Sequence, residues 1–397
     1  MDKKIKVIYL IGALGKGGSE KQLYLMLKHM NLEKFSPQVI VFNSSDTPIY
    51  EQKIKDLGIK IIGIPVQKKG VIKRSIFLFM VFREFRPLIV HSWTVHDNPY
   101  AGLIGYLSCV PVRLGSLRSS PNYSGFMQLP KPIQYLCLHT TQAIVVNAQS
   151  SALELEADNF PKSKIHYLRN CIEVSNYKKP LARPINQVVN VPKESKIIGT
   201  VGNLRQNKNH HIFIDVLENL IKMDSSIYGV IIGKTIPGEE EYVNQLKKKV
   251  KELNIERNII FAGFQDDVIS ILQKFDIFCL FSGSEGMPNV VLEAMAAKCP
   301  VVVTDVGDIS ITINHGINGF VINSYCVKEI ASLLDLLLKN PNDLKQIGAR
   351  GYGFVKKYFS CEQSAENLQA FYLRGDVEKI GLQLRSCRTE AAIYPDF

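Results

Sequence analysis

The sequence predicts an α/β protein made of two doubly wound, parallel-sheet domains in tandem. Three observations support this fold class. The chain has 397 residues, which is too long for one ordinary hydrophobic core. Short, wholly apolar segments alternate with segments of helical periodicity, which is typical of parallel sheets covered by helices on both faces. The strand, glycine turn and helix that open the chain recur after residue 195.

The first half supplies six predicted strands. IKVIYLIGAL (5–14) is the first, and the glycine turn after it leads into the helical segment SEKQLYLMLKHM, in which Ser19 and Gln22 have the spacing of a capping box. The other five strands are PQVIVF, IKIIGI, PLIVHSW, VRLGSL and AIVVNA.

The second half repeats the pattern after a proline-rich interruption, KPLARPINQVVNVPKES, which predicts a linker over 179–194. We therefore predict Rossmann-like domains over 1–178 and 195–355. A C-terminal helix over 356–374 is expected to return to the first domain, and the tail (375–397) has no firm pattern. Ligands of such sheets lie at the carboxyl ends of the strands, so a cleft between two facing domains is the expected binding site.

The positive charge is confined to the first half. The net charge is +11, and residues 1–178 contain 23 Lys and Arg against 12 Asp and Glu, whereas the remainder contains 25 of each. A basic half-chain favours an anionic partner such as a phosphorylated acceptor or a phospholipid surface, and a solvated basic surface is the alternative. A nucleic acid is not expected, because no motif that reads bases is present.

Cysteine spacing and hydropathy indicate a cytoplasmic protein. The eight cysteines show no C-x-x-C pair, so neither a disulfide framework nor a zinc site is expected. The opening residues read as a strand and a glycine loop rather than a signal peptide. The apolar run SIFLFMVF (75–82) is far too short to span a bilayer.

Two loops are candidates for binding phosphate. GALGKGGSE (12–20) is a glycine-rich strand-to-helix turn whose N–H groups suit a phosphate, but its spacing is not that of a dinucleotide fingerprint, and a simple tight turn remains an alternative. In GNLRQNKN (202–209), Arg205 and Lys208 lie three residues apart, which suits a diphosphate. Two exposed loop cations are the alternative.

SGSEGMPNVVLE (282–293) places two carboxylates around the start of a helix. Pro288 fits the first turn, and the free N–H groups there favour an anion. Glu285 and Glu293 would repel that anion but accept hydrogen bonds from hydroxyl groups. A ligand with phosphates in the middle and hydroxyls at both ends, such as a nucleotide sugar, fits this pattern. The alternative is a capping box of Ser282 and Glu285, with Glu293 a surface residue.

These segments together resemble glycosyltransferase family 4, a group of retaining, nucleotide-sugar-dependent enzymes of the GT-B fold. The resemblance rests on the loop and the two-glutamate segment above, together with FAGF, PVVVTDVGD and GINGFVI. It extends more loosely to GGSEKQL, RPLIVHSW, VRLGSLRSSP and VVNAQSS, so that it covers roughly residues 5–372.

The resemblance implies that the domain over 1–178 binds the acceptor and the domain over 195–355 binds the nucleotide-sugar donor. It also implies a role for each matching residue. Glu285 would bind the transferred sugar, Glu293 the donor ribose, and Arg205 with Lys208 the diphosphate leaving group. The other implied donor-binding residues are Gly17, Gly18, Asn203, Gly286, Met287, Pro288 and Asn289.

The first half departs from the family at one implied catalytic position. Arg118 stands where many members carry a histidine near the reacting carbon, and arginine does not act as a base under ordinary conditions. His91 and His96, which follow the preceding strand, are candidates for lining the cleft, although a packed histidine is the commoner role.

The implied function is retaining hexosyl transfer from a nucleotide sugar to a lipid-linked or cell-surface glycan, as in polysaccharide, lipopolysaccharide, O-antigen or capsule biosynthesis. Neither a metal nor another cofactor is expected, since no Asp-x-Asp is present and the cations and helix N-terminus could stabilise the leaving charge. IKRSIFLFMVFREFR (72–86) is a candidate surface helix for anionic lipid at the inner face of the plasma membrane, unless it packs its apolar side on the sheet. The alternative functions are a nucleotide-sugar 2-epimerase of the same fold and an NAD-dependent oxidoreductase.

Overall fold

The computed structural model describes residues 4–45, 47–65, 67, 70–120, 124–178, 189, 191–265 and 268–373. The chain divides into two compact units. The first contains the residues up to Cys171 and the helix that begins at Cys361, and the second runs from Ile172 to Ser360. Each unit is a parallel sheet with helices, so the predicted fold class is confirmed.

The first unit is built on seven parallel strands in the order β3-β2-β1-β4-β5-β6-β7. Their bounds are β1 (Ile5–Ile11), β2 (Phe35–Val41), β3 (Lys60–Gly63), β4 (Ile89–Ser92), β5 (Val112–Leu117), β6 (Ala143–Val146) and β7 (Ile165–Tyr167). The strand order reverses at β1, where Val7 pairs with Pro37 on one side and with Ile89 on the other. Such a reversal is where doubly wound sheets open a crevice for ligands.

In the described parts of the chain, seven α-helices lie between these strands. They are α1 (Gly18–Lys28), α2 (Ile49–Lys55), α3 (Val71–Phe85), α4 (Gly105–Leu107), α5 (Ser124–Met127), α6 (Lys131–His139) and α7 (Gln149–Ala157). A π-helical turn over Tyr100–Ile104 leads directly into α4. Among the described residues, no helix has the length and apolar character needed to cross a membrane.

Strand β1 forms the centre of the first core because its side chains alternate between two apolar layers. Val7 and Tyr9 belong to the layer that contains α1, whereas Ile8 and Leu10 belong to the layer that contains Leu78 of α3. These four residues are fully buried. The continuous apolar run is therefore explained by burial on both faces.

The second unit is built on six parallel strands in the order β10-β9-β8-β11-β12-β13. Their bounds are β8 (Lys196–Val201), β9 (Ile227–Ile232), β10 (Ile259–Gly263), β11 (Ile277–Leu280), β12 (Val301–Thr304) and β13 (Phe320–Ile322). Its helices are α8 (His210–Met223), α9 (Glu240–Glu252), α10 (Val268–Leu272), α11 (Asn289–Ala296), α12 (Ile309–Thr312), α13 (Val327–Leu338) and α14 (Pro341–Tyr358). The order reverses at β8, so the loops after β8 and β11 flank the switch point.

The last described helix, α15 (Cys361–Leu373), belongs to the first unit. The Tyr372 hydroxyl donates to the Tyr9 hydroxyl (2.9 Å), and the ring of Phe371 stacks on His166 with centroids 3.8 Å apart. The predicted helix began at 356, but α14 continues to Tyr358 and α15 begins three residues later. Most of the predicted linker (179–188 and 190) and the whole predicted tail (375–397) lie outside the described residues.

Candidate active site

The loop after β8 holds its two cations on a fixed backbone. A 3-10 turn over Gln206–Lys208 ends at Asn209, whose backbone is left-handed with φ of 51°. The Asn209 side chain donates to the carbonyl of Phe281 (2.9 Å), which fastens the loop to the end of β11. Arg205 and Lys208 are both half-buried, so they are not the freely solvated loop cations of the alternative interpretation. Asn203 is exposed.

The segment after β11 is tied to two neighbouring loops by its backbone. The N–H of Gly283 donates to the carbonyl of Asn207 (2.8 Å), and the N–H of Asp308 donates to the carbonyl of Gly286 (2.9 Å). Met287 is buried beneath the segment. The two predicted donor loops are therefore hydrogen-bonded to each other and to the loop after β12.

Lys208 and Glu285 form a direct ion pair between these two loops. Their side chains are only 18% and 15% exposed, so the pair is shielded from water more than a surface salt bridge is. The capping box of Ser282 and Glu285 is not formed, because the Glu285 carboxylate bonds Lys208 and the helix begins later. The structure thus joins a cation predicted to hold phosphate with a carboxylate predicted to hold sugar.

Helix α11 starts immediately after this pair. Pro288 occupies the N-cap position with an extended backbone (φ −72°, ψ 106°), one residue earlier than the predicted first turn, and Asn289 is the first helical residue. Proline has no N–H, so the donors that face outward come from the residues that follow it. Glu293 lies one turn into the helix and is half-buried. The carboxylate and the helix terminus therefore belong to one short stretch of chain.

Gly307 holds the loop after β12 against the site, a contact that the sequence did not reveal. Its φ is +61°, and a Cβ there would lie 1.9 Å from the carbonyl oxygen of Gly286 and 2.7 Å from that of Glu285. Only glycine permits this approach. The motif PVVVTDVGD carries the signal, since a glycine three residues after the end of β12 is suited to a close approach of two backbones.

In the first unit, the glycine loop after β1 ends at the start of α1. Gly17 is the N-cap residue and Gly18 the first helical residue. A Cβ at Gly17 would lie 2.2 Å from the Glu20 carboxylate, which folds back over the N-terminus. The predicted capping box is corrected, since Gln22 instead bonds the backbone of Cys171 through both ends of its amide (2.8 and 2.9 Å).

Arg118 follows β5 and lies flat on an indole ring. Its guanidinium carbon is 3.6 Å from the ring centroid of Trp93, and one of its nitrogens donates to Asn170 (3.5 Å). Burial lowers the pKa of Arg118, and the phenols of Tyr372 and Tyr9 partly oppose this effect. Among the described residues, its Nε and Nη2 have no hydrogen-bond partner. Arg118 is therefore a desolvated cation with two nitrogens that can still donate hydrogen bonds.

His91 lies inside the first unit and does not line its surface, which corrects the expectation from sequence. It is fully buried, with Nδ1 2.6 Å from the Tyr372 hydroxyl and Nε2 3.0 Å from the Ser116 hydroxyl. Burial, followed by the charge of Arg118, lowers its pKa well below the ordinary value, so the ring is neutral. His91 is a packed histidine that joins β4, β5 and α15.

His96, by contrast, is exposed and lines a cavity of about 540 Å³ in the first unit. The same cavity is lined by Asp97, which the sequence analysis did not single out. The signal was present, since Asp97 lies shortly after an apolar strand, where parallel sheets place ligand-binding residues.

Comparison with known proteins gives this arrangement a context. A sequence model described as "Glycosyl transferases group 1" matches residues 183–354, which contain both donor loops. The chain is similar to the putative glycosyltransferase EpsF of Bacillus subtilis, with 20% identity over 76% of this chain and 79% of EpsF.

A second relative, from Campylobacter jejuni, is 24% identical over 76% of this chain and 80% of its own length. It is named N-acetylgalactosamine-N,N'-diacetylbacillosaminyl-diphospho-undecaprenol 4-alpha-N-acetylgalactosaminyltransferase. Among solved structures, Anabaena Alr3699/HepE in complex with UDP and glucose superposes with a TM-score of 0.82 at 17% identity. That match covers 93% of this chain and all of the other, and it confirms the GT-B fold.

Proposed function

Because the chain belongs to the group 1 glycosyltransferases, we propose that it moves a hexosyl group, with retention, from a nucleoside-diphosphate sugar to a lipid-linked or cell-surface glycan. The observation that carries the proposal is the shielded Lys208–Glu285 pair beside the start of α11. The name of the Campylobacter relative supports a lipid-linked acceptor, because that protein is named for a diphospho-undecaprenol substrate. Neither the epimerase nor the oxidoreductase alternative gains support from these relatives.

The residues that bind the donor present positive charge to its diphosphate and hydrogen-bond acceptors to its sugar and ribose. Arg205 and Lys208 bind the diphosphate, and the N–H groups at the start of α11 add to the positive field. Glu285 accepts hydrogen bonds from the transferred sugar, and Glu293 accepts them from the ribose. When phosphate reaches Lys208, it competes with Glu285 for the ammonium group, so the free pair keeps both side chains positioned until the donor arrives.

Catalysis in this proposal depends on stabilising the departing diphosphate. The glycosidic bond of the donor lengthens to an oxocarbenium-like state, and negative charge grows on the phosphate oxygen that Arg205 and Lys208 face. The acceptor oxygen bonds the same face of the anomeric carbon, its proton leaves with the diphosphate, and the configuration is retained. These two cations supply the charge, so we expect transfer to persist in the presence of EDTA. The planar Arg118 is proposed to bind oxygen atoms near the reacting carbon rather than to act as a base.

The proposed location is the inner face of an anionic membrane, and α3 provides the observation. Leu78 and Phe82 pack on the core, as expected if the helix packs an apolar side on the sheet. The opposite side nevertheless exposes a stripe of apolar side chains at Ile72 (76%), Ile76 (56%) and Met80 (58%). A helix that is apolar on both sides is normally covered on both, and the exposed cations Lys73, Arg83 and Arg86 suit acidic headgroups.

Vesicle binding tests this location. Sedimentation with phosphatidylglycerol vesicles should carry down the wild type but not the double variant Ile76→Ser, Met80→Ser. The control Leu336→Ser removes an equally exposed leucine (60%) from α13 of the second unit and should sediment like the wild type. Equal sedimentation of all three proteins would refute α3 as the contact.

Donor binding is tested by thermal shift of the purified chain with UDP-, GDP- and ADP-sugars, with NAD as a negative control. A ligand at 100 times its dissociation constant stabilises the folded protein by about 2.7 kcal/mol. One sugar nucleotide should raise the melting temperature, and Glu293→Ala should abolish that rise. Glu329→Ala, which removes an exposed carboxylate of α13, should preserve it. A shift with NAD alone would overturn the proposal.

A further inference from the structure

The cavity of about 540 Å³ in the first unit opens where its sheet reverses direction. Residues at or just after the ends of β1, β2 and β4 line it, together with Ser19 and Glu20 of α1, Arg74 of α3 and Tyr100 of the π-helical turn. The rings of Phe42 and Tyr100 both line it, tilted by 47° to each other with their centroids 5.0 Å apart. They form an aromatic wall that gives one side of the cavity an apolar surface, which suits the less polar face of a ring-shaped ligand.

Asp97 supplies the acceptor group of this cavity. Its side chain is almost wholly buried, and Thr94 is the only hydrogen-bond donor to the carboxylate among the described residues. That bond is made to Oδ2, and a Cβ at Gly12 would lie 3.9 Å from the same oxygen, at ordinary van der Waals distance. A buried carboxylate with so few donors needs further hydrogen bonds.

Arg74 supplies the donor groups. It reaches from α3 into the cavity, donates from Nη2 to the Asn43 side chain (3.0 Å) and lies 5.5 Å from the Phe42 ring centroid. Its Nε is buried and has no hydrogen-bond partner in the part of the chain that the structure describes. Its charge reaches Asp97, because it lowers the pKa of that carboxyl against the larger effect of burial. A charged acceptor and a charged donor therefore face one cavity.

This combination selects one class of ligand. A divalent cation would be repelled by Arg74, and a phosphate would be repelled by Asp97 and by Glu20, which also lines the cavity. Two neighbouring hydroxyls of a sugar ring satisfy both groups, since one hydroxyl donates to a carboxylate while the next accepts from a guanidinium. The apolar face of the ring would then lie on the aromatic wall.

We propose that this cavity binds a sugar ring of the acceptor, with Asp97 and Arg74 reading a pair of adjacent hydroxyls. The proposal rests on the function proposed above, because it assigns the cavity to the acceptor of that reaction. Asp97 binds and orients the sugar in this scheme and removes no proton. Acceptor choice would then depend on these two side chains, since a site built to bond a hydroxyl strongly rejects an analogue that lacks it.

The ionisation of Asp97 gives the proposal a pH signature. Burial raises its pKa to about 6, and the titratable or charged groups that face it are Arg74, Glu20, His96, Tyr100 and Cys137. Below that pH the protonated carboxyl presents a donor in place of an acceptor. Sugar affinity should therefore fall as the pH drops through about 6, and an amide at this position should remove that dependence.

The test measures sugar binding without any donor. Saturation-transfer NMR on the full chain uses the octyl glycosides of glucose, galactose, mannose and N-acetylglucosamine as probes, below their micelle concentrations. At least one should bind, with a dissociation constant raised tenfold or more in Asp97→Asn and in Arg74→Gln. Asp56→Asn, which alters an exposed carboxylate at the C-cap of α2, should bind like the wild type. Melting temperatures check that each variant folds.

The outcomes separate this inference from the proposed function. Absence of binding by all four probes, or equal affinity in Asp97→Asn and wild type, would overturn the sugar site even if nucleotide sugars bind. Glycoside binding that depends on Asp97, in a chain that binds no nucleotide sugar, would support the site and refute the proposed function.

Discussion

Gly307→Ala should impair the donor site, although Gly307 itself is not proposed to contact the donor. Gly307 has φ of +61°, and the loop of Glu285 and Gly286 passes directly over its Cα. An added methyl group would strike this loop from behind. The change therefore asks whether the position of the loop, rather than its composition, determines donor binding.

The size of the effect follows from the geometry. An alanine Cβ would lie 1.9 Å from the carbonyl oxygen of Gly286, whereas real Cβ atoms stay beyond 3.0 Å, so the loop must move by the difference of 1.1 Å. A displacement of about 1 Å typically costs roughly 100-fold in rate. Alanine in a left-handed conformation also costs about 1–2 kcal/mol in stability.

Gly316→Ala is the matched control. Gly316 has a similar φ of +77°, but nothing lies within 4 Å of its added Cβ. In urea unfolding both variants should lose the stability that a left-handed alanine costs, and Gly307→Ala should lose more because of its clash. Only Gly307→Ala should lose donor turnover, measured as nucleoside diphosphate release. If the two variants turn over donor equally well, the contact of Gly307 with the donor loop does not matter, and the reasoning is refuted.

Three further predictions concern single charged groups. Arg118→Lys should lower turnover about 30-fold, because an ammonium group does not reproduce the planar donors of the guanidinium and a hydrogen bond to a charged group is worth about 2 kcal/mol; unchanged turnover would remove its role. Lys208→Met should weaken nucleoside diphosphate binding tenfold or more in calorimetry, whereas Lys196→Met, at an exposed ion pair, should not. Asp97→Asn should raise the free energy of unfolding at pH 8 by up to about 3 kcal/mol, with no gain at pH 4. Burial raises the pKa of Asp97 from 3.8 to about 6, so the wild-type protein loses stability as the pH rises from about 4 to 6. An equal effect of Asp97→Asn on the free energy of unfolding at pH 4 and pH 8 would contradict this.

The fold could be predicted because each strand is buried on both faces and therefore apolar throughout. The apolar run IKVIYLI predicts a central strand from the local sequence alone, and β1 is fully buried from Val7 to Ile11. The same reasoning failed at helix ends, where tertiary contacts compete with local ones. Gln22 had capping-box spacing, but its amide satisfies the backbone of Cys171, which is distant in sequence.

The candidate site was accessible from sequence only where its residues are close along the chain. Glu285 and Glu293 were recognisable from their spacing, whereas the pairing of Glu285 with Lys208 depends on two loops that only the fold brings together. His91 misled because its partner Tyr372 comes from the last helix. Asp97 was missed because its burial, which makes the carboxylate notable, depends on the packing of several elements and cannot be inferred from the local sequence.

The most direct measurement is a proton NMR time course of the enzyme with its sugar nucleotide and an accepted octyl glycoside. Retaining transfer should give one new glycoside with the anomeric configuration of the donor, formed in step with free nucleoside diphosphate. An inverted product would contradict retention. Conversion of the donor to its 2-epimer, without any new glycoside, would contradict transfer itself.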